Sequence, residues 1–234
     1  ILLLAVSTAA VNAQVKKPVA KKTAASAKKT VPVKKTVKPV AKTVKPVKMI
    51  PGTRVKVTTD SGVIVIRLYD KTSKHRDNFS KLANEHFFDS LLFHRVTNSV
   101  MIQGGDPSSK NAAPGVMLGS GDVGYTIPAE FDTSIFHKKG ALAAARTNNP
   151  EKASSGCQFY IVQGKTYTDA DLNRLELQMG IKFSAAKRNA YKTLGGTPFL
   201  DMNYTVFGEV ESGMDVIDKI ASVSTMPGDR PVGD

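Results

Sequence analysis

One cysteine, Cys157, stands in 234 residues, so the chain has no intrachain disulfide. With no base beside that thiol in sequence, cysteine-hydrolase chemistry is poorly served as well. Scarce cysteine is compatible with export but does not establish it. The four histidines, at 75, 86, 94 and 137, lack the spacing of metal ligands, and neither a metal nor any other cofactor is expected. No apolar run reaches the roughly 20 residues of a membrane-spanning helix, because the first, ILLLAVSTAAVNAQ, has only about thirteen. Acidic residues are missing altogether from residues 1–50, which hold twelve lysines; of the 33 basic residues 21 remain for the rest of the chain, against 20 acids. The formal charge of +13 is therefore a property of the N-terminal segment. A domain near neutrality has no extended phosphate-binding face, and specific nucleic-acid binding is not expected.

The opening apolar run ends in small residues, and Val11-Asn12-Ala13 fits an A-x-A-like cleavage site before Gln14. Residues 1–14 read as a secretory signal peptide, truncated because neither an initiating Met nor a basic segment precedes it. Residues 15–52 are nearly all Lys, Val, Ala, Thr and Pro, with TVKPVAK (36–42) followed by TVKPVKM (43–49). Prolines at 18, 32, 39, 46 and 51 interrupt any helix and the lysines repel one another, so a disordered linker is expected. The alternative is a segment that binds acidic envelope polymers or lipid headgroups by charge.

From 53 to 234 the composition becomes that of a folded domain. The β-branched runs Val55–Thr59 and Val63–Leu68 flank Asp60-Ser61-Gly62 and predict a hairpin. Phe79, Leu82 and Ala83 predict an amphipathic helix over Ser73–Glu85, with His75 facing solvent. Gly119–Gly124 satisfies GxGxxG, but Pro128 follows where a helix would have to begin, so this is read as a surface loop. Gly140–Ala145 and Cys157–Val162 read as strands. Residues 165–196 predict a one- or two-helix insert: Thr168 and Asp171 resemble a capping box, Leu172, Leu175 and Met179 share a face, and Gly195-Gly196 is a stop. Phe199–Asp201 and Tyr204–Val210 return to strand, and Met214–Ser222 is a last helix. Many short strands with few helices make a mostly β domain, a single closed or nearly closed antiparallel barrel.

Chemistry concentrates in FHRVTNSVMIQGGD, residues 93–106. Residues 91–96 and 100–104 read as two β runs joined by Thr97-Asn98-Ser99, which lets Arg95 and Gln103 point into one groove. Set among Phe93, Val96, Val100, Met101 and Ile102, two fixed polar groups on an apolar surface suit a peptide better than a phosphate. Spacing alone leaves an alternative open, in which Arg95 is a salt-bridged sheet residue and Gln103 an edge residue.

Five blocks in order, FHRV-x3-VMIQGGDP, GYTIPAEF (124–131), GALAAAR (140–146), SSGCQFYI (154–161) and FLDMNYTVFGEV (199–210), resemble the signatures of cyclophilin-type peptidyl-prolyl isomerases. The resemblance runs from about Arg54 to the end, and the insert is similar to that of bacterial members, especially of the Bacteroidetes type. It implies a closed eight-stranded antiparallel barrel with two capping helices, its active groove on the outer face, and a final strand missing from this chain. It also implies rotation about Xaa-Pro bonds without a cofactor, on proline-containing polypeptides. Arg95 matches the arginine that stabilises the twisted bond, and Gln103 the glutamine that holds the substrate backbone. Phe93, Val100, Met101, Tyr160, Phe199, Leu200 and Tyr204 match pocket positions, while Ala145, Arg146 and Gln158 line the groove.

Several positions depart from the usual pattern. Arg146 replaces an asparagine thought to act through its main chain, Val100 and Tyr160 replace Phe, Phe199 replaces Trp, and Tyr204 replaces His. Loss of the Trp implies weak cyclosporin binding, and Asn98-Ser99 in place of Pro-Gly leaves room for a differently seated hairpin. With the leader, the resemblance implies an exported bacterial isomerase of the periplasm or cell envelope. The competing expectation is a cyclophilin-like binding module or chaperone with little turnover.

Overall fold

The structure, a computed structural model, describes residues 2–7 and 52–233. Residues 15–51 of the linker and the cleavage site at Val11–Gln14 lie outside the described residues. Among these residues the strands are β1 (Leu2–Ser7), β2 (Arg54–Thr59), β3 (Gly62–Leu68), β4 (Leu91–Leu92), β5 (Arg95–Thr97), β6 (Met101–Gly104), β7 (Thr126–Ile127), β8 (Ala141–Ala144), β9 (Ser154–Ser155), β10 (Phe159–Val162), β11 (Val206–Ser212), β12 (Thr225–Met226) and β13 (Arg230–Pro231). The α-helices are α1 (Ser73–Asn84), α2 (Asp169–Met179), α3 (Ala185–Thr193) and α4 (Met214–Ala221).

Period-two burial builds the sheet. Val55 and Val57 on β2, with Ile64, Ile66 and Leu68 on β3, all face one core. Nine strands pair antiparallel in the order β4-β1-β2-β3-β11-β8-β10-β6-β5. Leu2–Ser7, within the segment read as a leader, stand here as a strand between β2 and β4. Val55 and Val57, near one end of this order, share a buried cluster with Val96 and Ile102 from the other, so the sheet curls around a common interior. The closed eight-stranded barrel expected from the sequence is not what forms. Among the described residues the sheet has nine strands and is open between β4 and β5, because Phe93 and His94 carry the chain from one edge to the other without joining a ladder.

Helices α1 and α4 cover the core with Phe79, Leu82 and Ala83 from one and Val216, Ile217 and Ile220 from the other. His75 does not face solvent. It lies four residues before Phe79 on the same helical face, is 1% exposed, and meets Glu130 Oε2 through Nδ1 at 2.7 Å and Ser154 Oγ through Nε2 at 3.0 Å. Glu130 also accepts from the backbone N–H groups of Lys74 and His75, satisfying donors at the start of α1.

Helices α2 and α3 fall within 165–196 and bury Leu172, Phe183 and Tyr191 in a small core of their own. The Thr168–Asp171 capping box forms at the start of α2. Phe199–Asp201 is not a strand: Pro198 opens a 3-10 turn over Pro198–Leu200, with Leu200 N–H donating to Thr197 O at 3.0 Å.

Candidate active site

Register places the candidate residues in a row. Arg95 on β5 is opposite Gln103 on β6, Gln103 opposite Tyr160 on β10, and Tyr160 opposite Ala143 on β8. Successive strand residues face opposite sides, so Phe159 and Ile161 enter the core while Tyr160 and Val162 face outward with Met101, Ala143 and Val206. Val100, Ala145, Leu200 and Tyr204 pack over this outer cluster. Together Arg95, Val100, Met101, Gln103, Tyr160, Phe199, Leu200 and Tyr204, with Ala145 and Arg146, line a hollow of about 260 Å³.

Phe93 does not belong to it. Although two residues before Arg95, it is 0% exposed and packs edge-on against Phe159 in the core, because the unpaired break at Phe93-His94 reverses the facing that a continuous strand would give. Gln158 and Ala145 line a neighbouring hollow of about 130 Å³ instead, Ala145 serving both.

Gly105 turns the chain after β6 at φ +90°, with a side chain there blocked by the Cys157 carbonyl. That turn leaves Gln103 beside Gln158. Gln103 Nε2 donates to Gln158 Oε1 at 3.0 Å, and Gln158 Nε2 donates to the carbonyls of Gly119 and Gly121 at 3.0 and 2.8 Å. The glycine-rich loop is thus a clamp on Gln158, which in turn fixes the Gln103 amide. Oε1 of Gln103 is left as an acceptor for a peptide N–H.

Arg95 is half exposed, and both Nε (3.2 Å) and Nη2 (3.1 Å) donate to Asp229 Oδ2. Thr97 Oγ1 donates to the same oxygen at 2.8 Å, and Val96 N–H to the Asp229 carbonyl at 2.7 Å. The salt-bridged alternative for Arg95 is therefore present alongside the groove position. Arg146 lies across the rim: its guanidinium carbon is 4.9 Å from the centre of the Tyr204 ring, and its Nε donates to Asn203 O at 2.9 Å.

Beneath the pocket runs a buried network that sequence reasoning missed. Tyr160 OH is 3.0 Å from His137 Nε2, His137 Nδ1 is 2.9 Å from Asp201 Oδ1, and Asp201 Oδ2 accepts from Tyr191 OH at 2.9 Å and Lys187 Nζ at 3.2 Å. Burial pushes the Tyr160 phenol well above its ordinary range, so it stays protonated. Burial also works to raise the Asp201 carboxyl, but the His137 hydrogen bond and the Lys187 charge outweigh it and hold the pKa below its ordinary value. A buried carboxylate with this many donors locks the pocket floor. The signal for Asp201 was its place between Leu200 and the next strand; nothing local marked His137 or Asp229.

Cys157 is buried and its thiol is pushed up to about 11, chiefly by desolvation. Among the described residues no three His, Cys, Asp or Glu side chains group as metal ligands.

His94, next to Arg95, is 3% exposed and its ring nitrogens have no hydrogen-bond partner among the described residues. Burial, with the charges of Arg230 and Arg95, lowers its pKa from 6.5 to about 4. The unfolded chain binds that proton near pH 6.5 and the folded one only near 4, so stability is expected to fall as pH drops through this window, by on the order of 3 kcal/mol across it. Urea midpoints measured across the window check this. The native protein should lose stability more steeply than His94→Gln, and equal slopes would refute the assignment.

Residues 54–234 match the family model described as cyclophilin type peptidyl-prolyl cis-trans isomerase/CLD. The chain belongs to the cyclophilin-type peptidyl-prolyl cis-trans isomerase family. It is 35% identical over 190 residues to a Staphylococcus haemolyticus protein with a provisional peptidyl-prolyl cis-trans isomerase name, the match covering 80% of this chain and 90% of that one. It is also 35% identical over 186 residues to a Streptococcus pyogenes protein provisionally named as a bifunctional phosphatase/peptidyl-prolyl cis-trans isomerase; that match covers 78% of this chain but spans only 37% of the relative's length. These relatives come from Staphylococcus and Streptococcus and lend no support to a Bacteroidetes likeness. Among solved structures, a Cryptosporidium parvum cyclophilin-type isomerase aligns with a TM-score of 0.55 at 18% identity, covering 76% of this chain and 90% of that one. A second structure of it, in the presence of the dipeptide Ala-Pro, gives 0.54 at 18% identity, covering 77% and 92%. At that identity the likeness is one of fold: mostly β, with a curled antiparallel sheet.

Proposed function

We propose that the chain accelerates cis/trans rotation about Xaa-Pro bonds in extended polypeptides and assists the folding of exported proteins. The observation that carries this is the row of Arg95 and Gln103, paired across one ladder, above an apolar hollow of about 260 Å³ floored by Met101 and Tyr160. The barrier to rotation, roughly 20 kcal/mol, comes from amide resonance that is lost in the twisted bond. As the bond twists, the prolyl nitrogen regains a lone pair, and a donor aimed at it stabilises the transition state more than either planar form. Arg95 supplies that donor, Gln103 accepts from the substrate backbone, and Val100, Met101, Tyr160, Phe199, Leu200 and Tyr204 hold the ring. No bond is broken and no cofactor takes part. Phe199 in the usual Trp position makes cyclosporin a weak ligand.

Two observations favour a second reading, a module that binds proline segments without turning them over. Two of the Arg95 donors already serve Asp229, and Val100 supplies no aromatic ring to the pocket. The two readings separate in the refolding of a protein limited by prolyl isomerisation. A catalyst at substoichiometric concentration shortens the slow phase, whereas a binder leaves its rate unchanged.

The remaining parts of the proposal rest on sequence. Residues 1–14 act as a leader to the periplasm or cell envelope, residues 15–52 as a linker able to meet acidic envelope polymers, and 53–234 as the catalytic domain. That the insert is of the Bacteroidetes type rests on sequence likeness alone.

A further inference from the structure

Val100 at the hairpin tip and Phe199 in the 3-10 turn line the proline pocket, and both also line a second hollow of about 600 Å³. The far wall of that hollow is the insert, with Tyr167, Asp171, Arg174 and Leu175. Phe199 is 41% exposed between the two, although it is a large apolar ring. We propose that this groove takes the stretch of an extended polypeptide that flanks the substrate proline, with one apolar side chain seated among Val100, Tyr167, Leu175 and Phe199. The inference rests on the isomerase reading of the proline pocket and assigns the insert a role in substrate selection.

Continuity argues for this occupant, because a chain leaving the proline pocket past Val100 and Phe199 enters the second hollow directly. Charge points the same way. Lys165 and Arg174 stand with Asp171, which lies 4.0 Å from Arg174, so the rim has no single-sign field of the kind that gathers phosphates. An apolar floor with a mixed polar rim suits main chain and an aliphatic side chain.

Both walls are held in place. Ser99 N–H donates to Gln163 Oε1 at 2.6 Å and Gly164 N–H to Val100 O at 3.1 Å, tying the hairpin tip to the start of the insert. Lys165 and Gly196 exchange backbone hydrogen bonds at the base of the insert, at 3.3 and 3.0 Å. Tyr191 and Lys187 of α3 grip Asp201, immediately after Leu200. A groove whose two sides are pinned to the pocket keeps its geometry without a ligand, which limits the ordering cost of binding.

The test uses the full chain and three blocked peptides: Ala-Ala-Pro-Ala, and the same core with a short leucine-containing extension before or after it. One extension is expected to lower KM by about tenfold, the order expected from burying one large aliphatic side chain. That peptide should also shift the amide resonances of Tyr167, Arg174 and Gln178, which the core peptide leaves in place. In Leu175→Ser the long-to-short ratio of kcat/KM should fall toward one. The proposal is overturned if neither extension lowers KM, or if a gain arrives while those amides stay unmoved. Should no peptide be turned over, the isomerase reading fails by itself, and the amide shifts of the unaltered protein still decide for or against the groove.

Discussion

Arg95→Ala is expected to lower kcat/KM for Xaa-Pro isomerisation by about 100- to 1000-fold, the range found when one transition-state donor is removed from a preorganised site. Two hydrogen bonds to Asp229 Oδ2 hold the guanidinium and the β5–β6 pairing holds its backbone, so little reorganisation is needed when the substrate twists. Arg95→Lys retains the charge but loses the planar fork that donates to Asp229 through both Nε and Nη2, and should recover only a small part of the rate. Catalysed refolding at several enzyme concentrations gives kcat/KM directly. Loss of less than about threefold in Arg95→Ala would remove the residue from the mechanism.

The second large effect is on stability. Asp201→Ala is expected to cost about 3–5 kcal/mol, because it leaves Lys187, Tyr191 and His137 facing one another without the carboxylate that satisfies all three. Lys187 is only 12% exposed at its side chain and cannot turn its charge fully into water. The urea midpoint should fall accordingly, and Asp201→Asn should fall less because one oxygen remains as acceptor. A change under about 1 kcal/mol would mean that the network relaxes or hydrates freely, and the pocket floor would then not be locked by it.

What could be read from sequence was whatever depended on near neighbours. β-Branched runs on either side of Asp60-Ser61-Gly62 place β2 and β3, and the short Thr97-Asn98-Ser99 connection sets Arg95 and Gln103 on paired strands. The Thr168–Asp171 box marks the start of α2 for the same local reason. Errors arose where a local preference met a tertiary one. His75 is polar by type but shares a helical face with Phe79, and Glu130 and Ser154 supply the partners that allow it to be buried. Phe93 shares strand parity with Arg95, yet the ladder is interrupted between them and the ring turns inward. Phe199–Asp201 has strand-forming side chains, but Pro198 sets a turn.

The contacts that position the site are the least local. Arg95 and Asp229 are 134 residues apart, and His137 and Asp201 are 64 apart. No periodicity or motif links such pairs in a single sequence. Only the curl of the sheet and the docking of the insert bring them together.

NMR exchange spectroscopy on an Ala-Pro peptide with the full chain tests the central claim most directly. Cis/trans exchange faster than in buffer, at a protein concentration far below that of the peptide, is the result expected of an isomerase. Peptide resonances that shift on binding while exchange stays at the buffer rate would contradict it, and would make this chain a proline-segment binder.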